Sequence, residues 1–377
     1  MLKIYNRKEF IDRIQHVDEV ILFGAGKKIY DVEKFFSNTN VSAKICKVLD
    51  NDTYKQGTII NLWGKGLKIL SLNQIIPDDS IKRIILITLE DYGLLLDDLL
   101  SDMIFDDIEI VCFAHIMALE KESKSIHKTL PNEIRLEKKP LIPKKIHYCW
   151  FGGKEIPDKY KRYMESWHKF CPDYEIIQWN ESNYDISKCK YMQEAYEKNV
   201  WGFVPDYARL DIVYNNGGIY LDTDVELVKN IDDLLYQKGF AGFEDESYVA
   251  LGLGFGAMRH LPILREMMDY YEKESFIKED GSLNLIESPI HNTEVLLKKG
   301  LVCNGDYQKV ADMTIYPAKV LSGKCMYTMR TVIKPWTYAI HHYDGSWATE
   351  KARRMNARMG KDMMMYHSDS HLGESLK

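Results

Sequence analysis

Residues 204–226 read VPDYARLDIVYNNGGIYLDTDVE, a stretch whose pattern is that of a helix, a turn and a strand that ends in acids. Its apolar positions over 208–214 have helical spacing, Asn215-Asn216-Gly217-Gly218 suits a helix-ending turn, and Ile219-Tyr220-Leu221 suits a buried strand. Asp222 and Asp224 then stand at the C-terminal end of that strand. Positions two apart on a strand share a face, so both carboxylates are expected to point into one space. Like charges that close raise each other's proton affinity unless a cation lies near them. Hard carboxylate oxygens suit Mg²⁺ or Mn²⁺, ions that keep open positions for phosphate oxygens, and the C-terminal edge of a parallel-type sheet is where α/β proteins bind nucleotides.

An isolated Asp-x-Asp is by default a solvated turn, and Arg209 by itself would be a surface partner of Asp206 or Asp211. The context changes that balance. Asp206 and Arg209 lie three apart on one helix face, and the glycine pair lets backbone approach closely just before the acids.

Outward from this stretch, the chain reads as α/β throughout. On its N-terminal side, short apolar runs at 20–23, 45–49, 67–70, 84–89 and 108–113 alternate with helical patterns at 27–36 and 91–103. The first run leads into Gly24-Ala25-Gly26-Lys27-Lys28-Ile29, two of the three glycines of a dinucleotide fingerprint, with Asp50 after the second run. A dinucleotide site calls for a small residue where Ile29 stands, so a scaffold or a sugar-nucleotide site is favoured there over NAD. Lys-, Glu- and Pro-rich residues 121–142 read as a linker. Strands at 145–150 and 174–179 around a helix at 159–170 then open a second α/β domain. Residues 351–366 mix Lys351, Arg353, Arg354, Arg358 and Lys361 with five methionines, the pattern of a basic amphipathic helix. The expected organisation is therefore a small Rossmann-like parallel-sheet domain at 1–120, the linker, a catalytic domain at 143–350, and a basic tail at 351–377.

Composition sets limits on function. A 377-residue chain with 45% hydrophobic and 28% charged residues folds rather than stays disordered, and a net charge of -6 speaks against a general nucleic-acid binder. The seven cysteines show no Cys-x-x-Cys pair and read as reduced thiols. The beginning MLKIYNRKEF lacks the apolar stretch of a secretion signal, and no run approaches a membrane span, so a cytoplasmic protein is expected.

Asp206-x-x-Arg209 followed by Gly217-Gly218-Ile219-Tyr220-Leu221-Asp222-Thr223-Asp224 resembles the D-x-D sugar-binding region of family 32 glycosyltransferases, the bacterial capsular and yeast mannosyltransferase-like group, and of the related clostridial glucosylating toxins. The resemblance reaches back to residues 146–153, IHYCWFGG, and Ser166-Trp167, and forward to residues 341–347, HHYDGSW. It implies a GT-A type domain, a UDP-sugar donor, Mn²⁺ or Mg²⁺, and retaining transfer of a hexose to a glycan acceptor in capsular or other surface polysaccharide synthesis. It also implies roles. Trp150 would stack on uracil while the Cys149 backbone reads the base edge; Asp206 and Arg209 would bind the donor's sugar and phosphate, and Tyr220 would line the pocket. Asp222 would contact ribose and metal, and Asp224 would bind the metal. His342 would be the third metal ligand, with His341 as the alternative, and Ser346 and Trp347 would close over the diphosphate.

Where many members have a Gly-Pro step this chain has Glu287-Ser288-Pro289, which leaves the acceptor open. A lipid-linked oligosaccharide at the inner face of the membrane would suit the basic tail, which a solvated helix explains equally well. Three other readings stand beside this one: a toxin-like protein glycosyltransferase, an NAD-dependent oxidoreductase built on the N-terminal unit, and a noncatalytic sugar-binding or assembly subunit.

Overall fold

The apolar runs of the N-terminal third are too short for helices and rich in β-branched residues, and they become a stack of parallel strands. The computed structural model describes residues 1–75, 80–101, 105, 108–134, 136–345 and 348–369. The chain forms two units, Met1–Ser123 together with the segment from Glu350 onward, and Lys124–Thr349.

In the first unit, β1 (Glu19–Phe23), β2 (Ile45–Leu49), β3 (Ile59–Leu62), β4 (Lys65–Leu70), β5 (Arg83–Ile87) and β6 (Glu109–Cys112) form a sheet in the order β3-β4-β2-β1-β5-β6. All pairings are parallel except β3 against β4. Every residue of β5 is buried, as a strand covered on both faces requires. The β3–β4 hairpin has no counterpart in the sequence reading. Its two-residue turn is Trp63-Gly64, both with positive φ, and a tryptophan in that position carries no turn signal. The helices are α1 (Arg7–Ile14), α2 (Ile29–Phe35), α3 (Val41–Lys44), α4 (Gly93–Ser101) and α5 (Phe113–His127), and α5 runs into the stretch expected as linker.

The second unit carries β7 (Lys145–Cys149), β8 (Glu175–Trp179), β9 (Gly218–Tyr220), β10 (Val225–Leu227), β11 (Gly239–Phe243), β12 (Val249–Ala250), β13 (Phe255–Ala257), β14 (Gln308–Val310), β15 (Met313–Tyr316) and β16 (Ala339–His341). Its main sheet is mixed, in the order β14-β15-β11-β13-β9-β7-β8, with β12 on β11. β7 is parallel to both β8 and β9, whereas β13 runs antiparallel to β9. β10 and β16 form a separate antiparallel ribbon. Around these lie α6 (Asp158–Phe170), α7 (Lys190–Glu197), α8 (Pro205–Asn216), α9 (Pro262–Tyr271), α10 (Ser288–Leu297) and α11 (Ala318–Leu321). α8 is buried on all sides from Asp206 to Val213, so its charged residues sit in the core of this unit.

The last helix, α12 (Glu350–Asp369), belongs to the first unit. Its cations are engaged there: Lys351 and Arg354 lie 3.4 and 3.5 Å from Asp91, and Arg358 is 2.7 Å from Asp97. Asp362, buried, accepts from the Tyr92 hydroxyl at 2.9 Å and lies 3.1 Å from His115 Nε2. Among the described residues no helix is long and apolar enough to cross a membrane.

Candidate active site

Pro205 in the first turn of α8 fixes φ where no amide donor is needed, and the helix ends where the Gly217 amide donates to the Val213 carbonyl at 2.8 Å. Gly217 and Gly218 have φ of 64° and 105°, and a Cβ on Gly218 would stand 2.9 Å from both His147 Nε2 and Lys145 Cβ. A glycine pair is therefore required by conformation and by space. His147, fully buried on β7, locks the turn. The Trp179 indole donates to its Nδ1 at 3.1 Å, which leaves Nε2 to donate to the Gly217 carbonyl at 2.8 Å. Burial holds this imidazole neutral, with its pKa brought down to about 4.

The two acids converge for a different reason than strand alternation. β9 stops at Tyr220, and the Val225 amide donates back to the Asp222 carbonyl at 3.0 Å, so Asp222 and Asp224 lie in the turn between β9 and β10. Helix α6 holds the far side of that turn in place: the Trp167 indole donates to the Val225 carbonyl, and the Ser166 hydroxyl accepts from the Leu227 amide, each at 2.8 Å.

The third member of the cluster is His341, the alternative to His342 in the sequence. Ligand atoms of Asp222, Asp224 and His341 all lie within 4.8 Å of one another, and His341 Nε2 is 3.3 Å from Asp224 Oδ1. The register of the β10–β16 ribbon decides this, because it sets His341 opposite Val225 and so beside the acidic turn. The next side chain points away. His342 stacks on Tyr163, ring centroids 3.8 Å apart and planes 9° from parallel, and its Nε2 is 2.9 Å from Glu226.

The charges are strongly coupled. Burial raises the Asp222 carboxyl and Asp224 raises it further, against the pull of Arg209, so its net shift is upward. Burial would raise Asp224 too, but His341 and the Asp344 amide, 3.1 Å from Asp224 Oδ2, carry it well below the carboxylate range. Burial would lower His341, yet Asp224 outweighs it and the imidazole is shifted up. Two partly buried carboxylates and an imidazole are an O,O,N donor set that fits Mn²⁺ or Mg²⁺.

On the other side of Asp222 lies Arg209, only 5% exposed, with its Nη2 3.2 Å from Asp206 and 3.6 Å from Asp222. Its Nε donates to the Pro205 carbonyl at 3.0 Å, and its guanidinium lies 5.1 Å from the Tyr220 ring centre. Burial pushes Asp206 up to about 7 in spite of Arg209, and the Ser288 hydroxyl bonds to it. The sequence reading did not single out Gly252. A Cβ there would collide with the Asp222 carboxylate, so this glycine makes room for the acid, and nothing in its local sequence signals that.

Cys149 is buried at the end of β7, its thiol pushed up to about 12 by burial and coupled to Arg209 and Tyr220. Trp150 is anchored through its amide to the Trp179 carbonyl at 2.9 Å and through its indole N–H to the Lys154 carbonyl at 2.6 Å. Ser346 and Trp347 lie outside the described residues.

In the first unit, the acid that a dinucleotide site would turn toward a ribose faces inward. Asp50 accepts from the Ala25 amide at 2.7 Å, from the Asp52 amide at 2.8 Å and from Lys55 at 3.0 Å.

Comparison with known proteins bears on the second unit. Residues 157–241 match the family described as glycosyltransferase sugar-binding region containing DXD motif. Inositol phosphoceramide mannosyltransferase 3 of Schizosaccharomyces pombe is 34% identical over 111 residues, 28% of this chain and 30% of that protein. Inositol phosphoceramide mannosyltransferase 2 of the same yeast is 29% identical over 142 residues, 36% of this chain and 40% of that protein. The chain thus spans less than half the length of these curated relatives. Among solved structures, PaToxG Glycosyltransferase overlaps with a TM-score of 0.36 at 19% identity, over 49% of this chain and 78% of that one, too little to bear on the fold. The segment that holds helix α8, the glycine turn and the paired acids carries the sequence of a DXD-containing glycosyltransferase sugar-binding region.

Proposed function

We propose that this protein is a divalent-metal-dependent glycosyltransferase of GT-A type that moves a hexose from a UDP-sugar to a glycan acceptor with retention of configuration, in the synthesis of a surface polysaccharide. One observation carries the reading most: a buried arginine and two acids from the segment that matches the sugar-binding family meet a histidine from outside it, His341, just after β9. The names of the curated relatives support sugar transfer as the reaction and a hexose as the cargo.

Asp222, Asp224 and His341 would hold the ion, which when bound supplies fixed positive charge for a diphosphate. Cleavage of the anomeric bond leaves negative charge on the departing phosphate, and Arg209 lies in a dry site where a fixed cation counts for several kcal/mol. Asp206, held at about 7, accepts from or donates to a sugar hydroxyl beside Arg209. Retention calls for attack on the face the leaving group vacates, with the acceptor's proton passing to the leaving phosphate; no carboxylate of the chain is assigned as nucleophile. We place the reaction in the cytoplasm, at the inner face of the membrane where a lipid-linked acceptor is presented.

The test is incubation with Mn²⁺ and a panel of UDP-sugars, scoring release of UDP. Turnover with one or more donors that disappears in EDTA supports the proposal, and activity undiminished in EDTA contradicts it.

A further inference from the structure

Lys324 is a cation of the second unit that the proposed donor site leaves unused. It is half-buried in the short hairpin 323–332, where the Gly323 amide donates to the Ala339 carbonyl at 2.8 Å and the Val332 amide to the Gly323 carbonyl at 2.8 Å. Through Gly323 the hairpin is thus fastened to β16, the strand that ends in His341. The Ser322 hydroxyl adds to this, donating to the Lys324 carbonyl at 2.9 Å and lying 3.1 Å from the Tyr343 hydroxyl.

The ammonium donates to the His342 carbonyl at 3.1 Å, and the His342 amide in turn donates to the Asp224 carbonyl at 3.0 Å, so one residue separates this cation from the acidic turn. Among the described residues no carboxylate forms an ion pair with Lys324, although the charges of Asp344 and Asp224 both reach it. Asp344 is already paired with Lys159 at 2.6 Å. Burial lowers the Lys324 pKa, the mark of a charge held partly out of water at a cost. A lysine that only pinned the His342 carbonyl would use one of three N–H donors.

We infer that Lys324 is an anion-binding residue that takes a phosphate oxygen of the diphosphate held at Asp222, Asp224 and His341. The inference rests on the proposed donor site and adds a second cation to it. Arg209 approaches Asp222 from α8, whereas Lys324 reaches, from the hairpin beside β16, the carbonyl of His342, whose amide bonds to Asp224. A diphosphate between them would be gripped by positive charge from two elements distant in sequence.

The probe is inorganic pyrophosphate with Mn²⁺, titrated calorimetrically into the full-length protein, with Mn²⁺ alone titrated separately. Lys324→Met should weaken pyrophosphate binding about tenfold, the usual size of one charge-assisted hydrogen bond. Mn²⁺ binding should be unchanged, and Lys324→Arg should restore most of the pyrophosphate affinity. Equal pyrophosphate affinity in wild type and Lys324→Met overturns the inference and leaves the donor site intact. Parallel loss of Mn²⁺ and pyrophosphate binding in Lys324→Met overturns it too, since the lysine would then only shape the loop. A wild-type protein that binds Mn²⁺ but no pyrophosphate defeats the proposed donor site and this inference together.

Discussion

Two acids at strand ends in the two units have opposite fates. Asp50 follows β2 and is buried, and Asp222 follows β9 and is partly buried. Burial would raise either one, but Asp50 receives two backbone amides and Lys55, and its carboxyl ends below the ordinary value. Asp222 has Arg209 on one side and the repelling Asp224 on the other, and ends above it. The first acid is satisfied by its own fold. The second is left in a pair whose charge the fold only partly balances, and such a pair invites a cation from outside.

The largest expected effect sharpens that contrast directly. Asp224→Ala should reduce donor turnover by roughly a thousandfold, as expected when the group holding a catalytic cation is lost, while circular dichroism stays native. Turnover within about tenfold of wild type would break the comparison.

His147 supplies a pH test of the scaffold beneath the acids. Its pKa in the folded protein is about 4 against 6.5 ordinarily, so between those values the unfolded chain binds a proton that the folded one does not. Stability is then complete above pH 6.5 and declines as pH falls toward 4, by about 3 kcal/mol for this group. Urea titrations across that range should show the decline, and His147→Gln should flatten it.

The choice between adjacent histidines comes next in size. His341→Ala should weaken Mn²⁺ binding by roughly ten- to a hundredfold, and His342→Ala by far less, read by calorimetry. The reverse order would restore His342 as the ligand. Smallest is Asp50→Asn, which should cost the first unit about 1–2 kcal/mol in urea unfolding and leave donor turnover unchanged.

How much of this could be read in advance depended on the distance over which each feature is fixed. The helix, the glycine turn and β9 are set within residues 204–226, and their spacing alone announced them. The pairing of the acids was anticipated, but by strand alternation, whereas a turn closed by the Val225 amide brings them together. The sequence favoured His342, whereas His341 lies beside the acids; the two are neighbours, and only the register of β16 against β10 tells them apart. Gly252 went unnoticed since the atom it makes room for belongs to another segment. The cationic face of α12 was legible as a helix, but its partners Asp91 and Asp97 are contributed by a stretch far earlier in the chain.

The narrow ribbon of β10 and β16 gives the second unit one more property. Its two strands come from distant parts of the chain and share only three residue pairs, Val225 with His341, Glu226 with Ile340 and Leu227 with Ala339. An ion gripped by side chains from both strands at the Val225–His341 end of that ribbon would act as a clasp, closing a long loop and adding to the restraint of the ladder. Amide exchange along β16 should then slow when manganese is added, so that the cofactor would complete the fold as well as the chemistry.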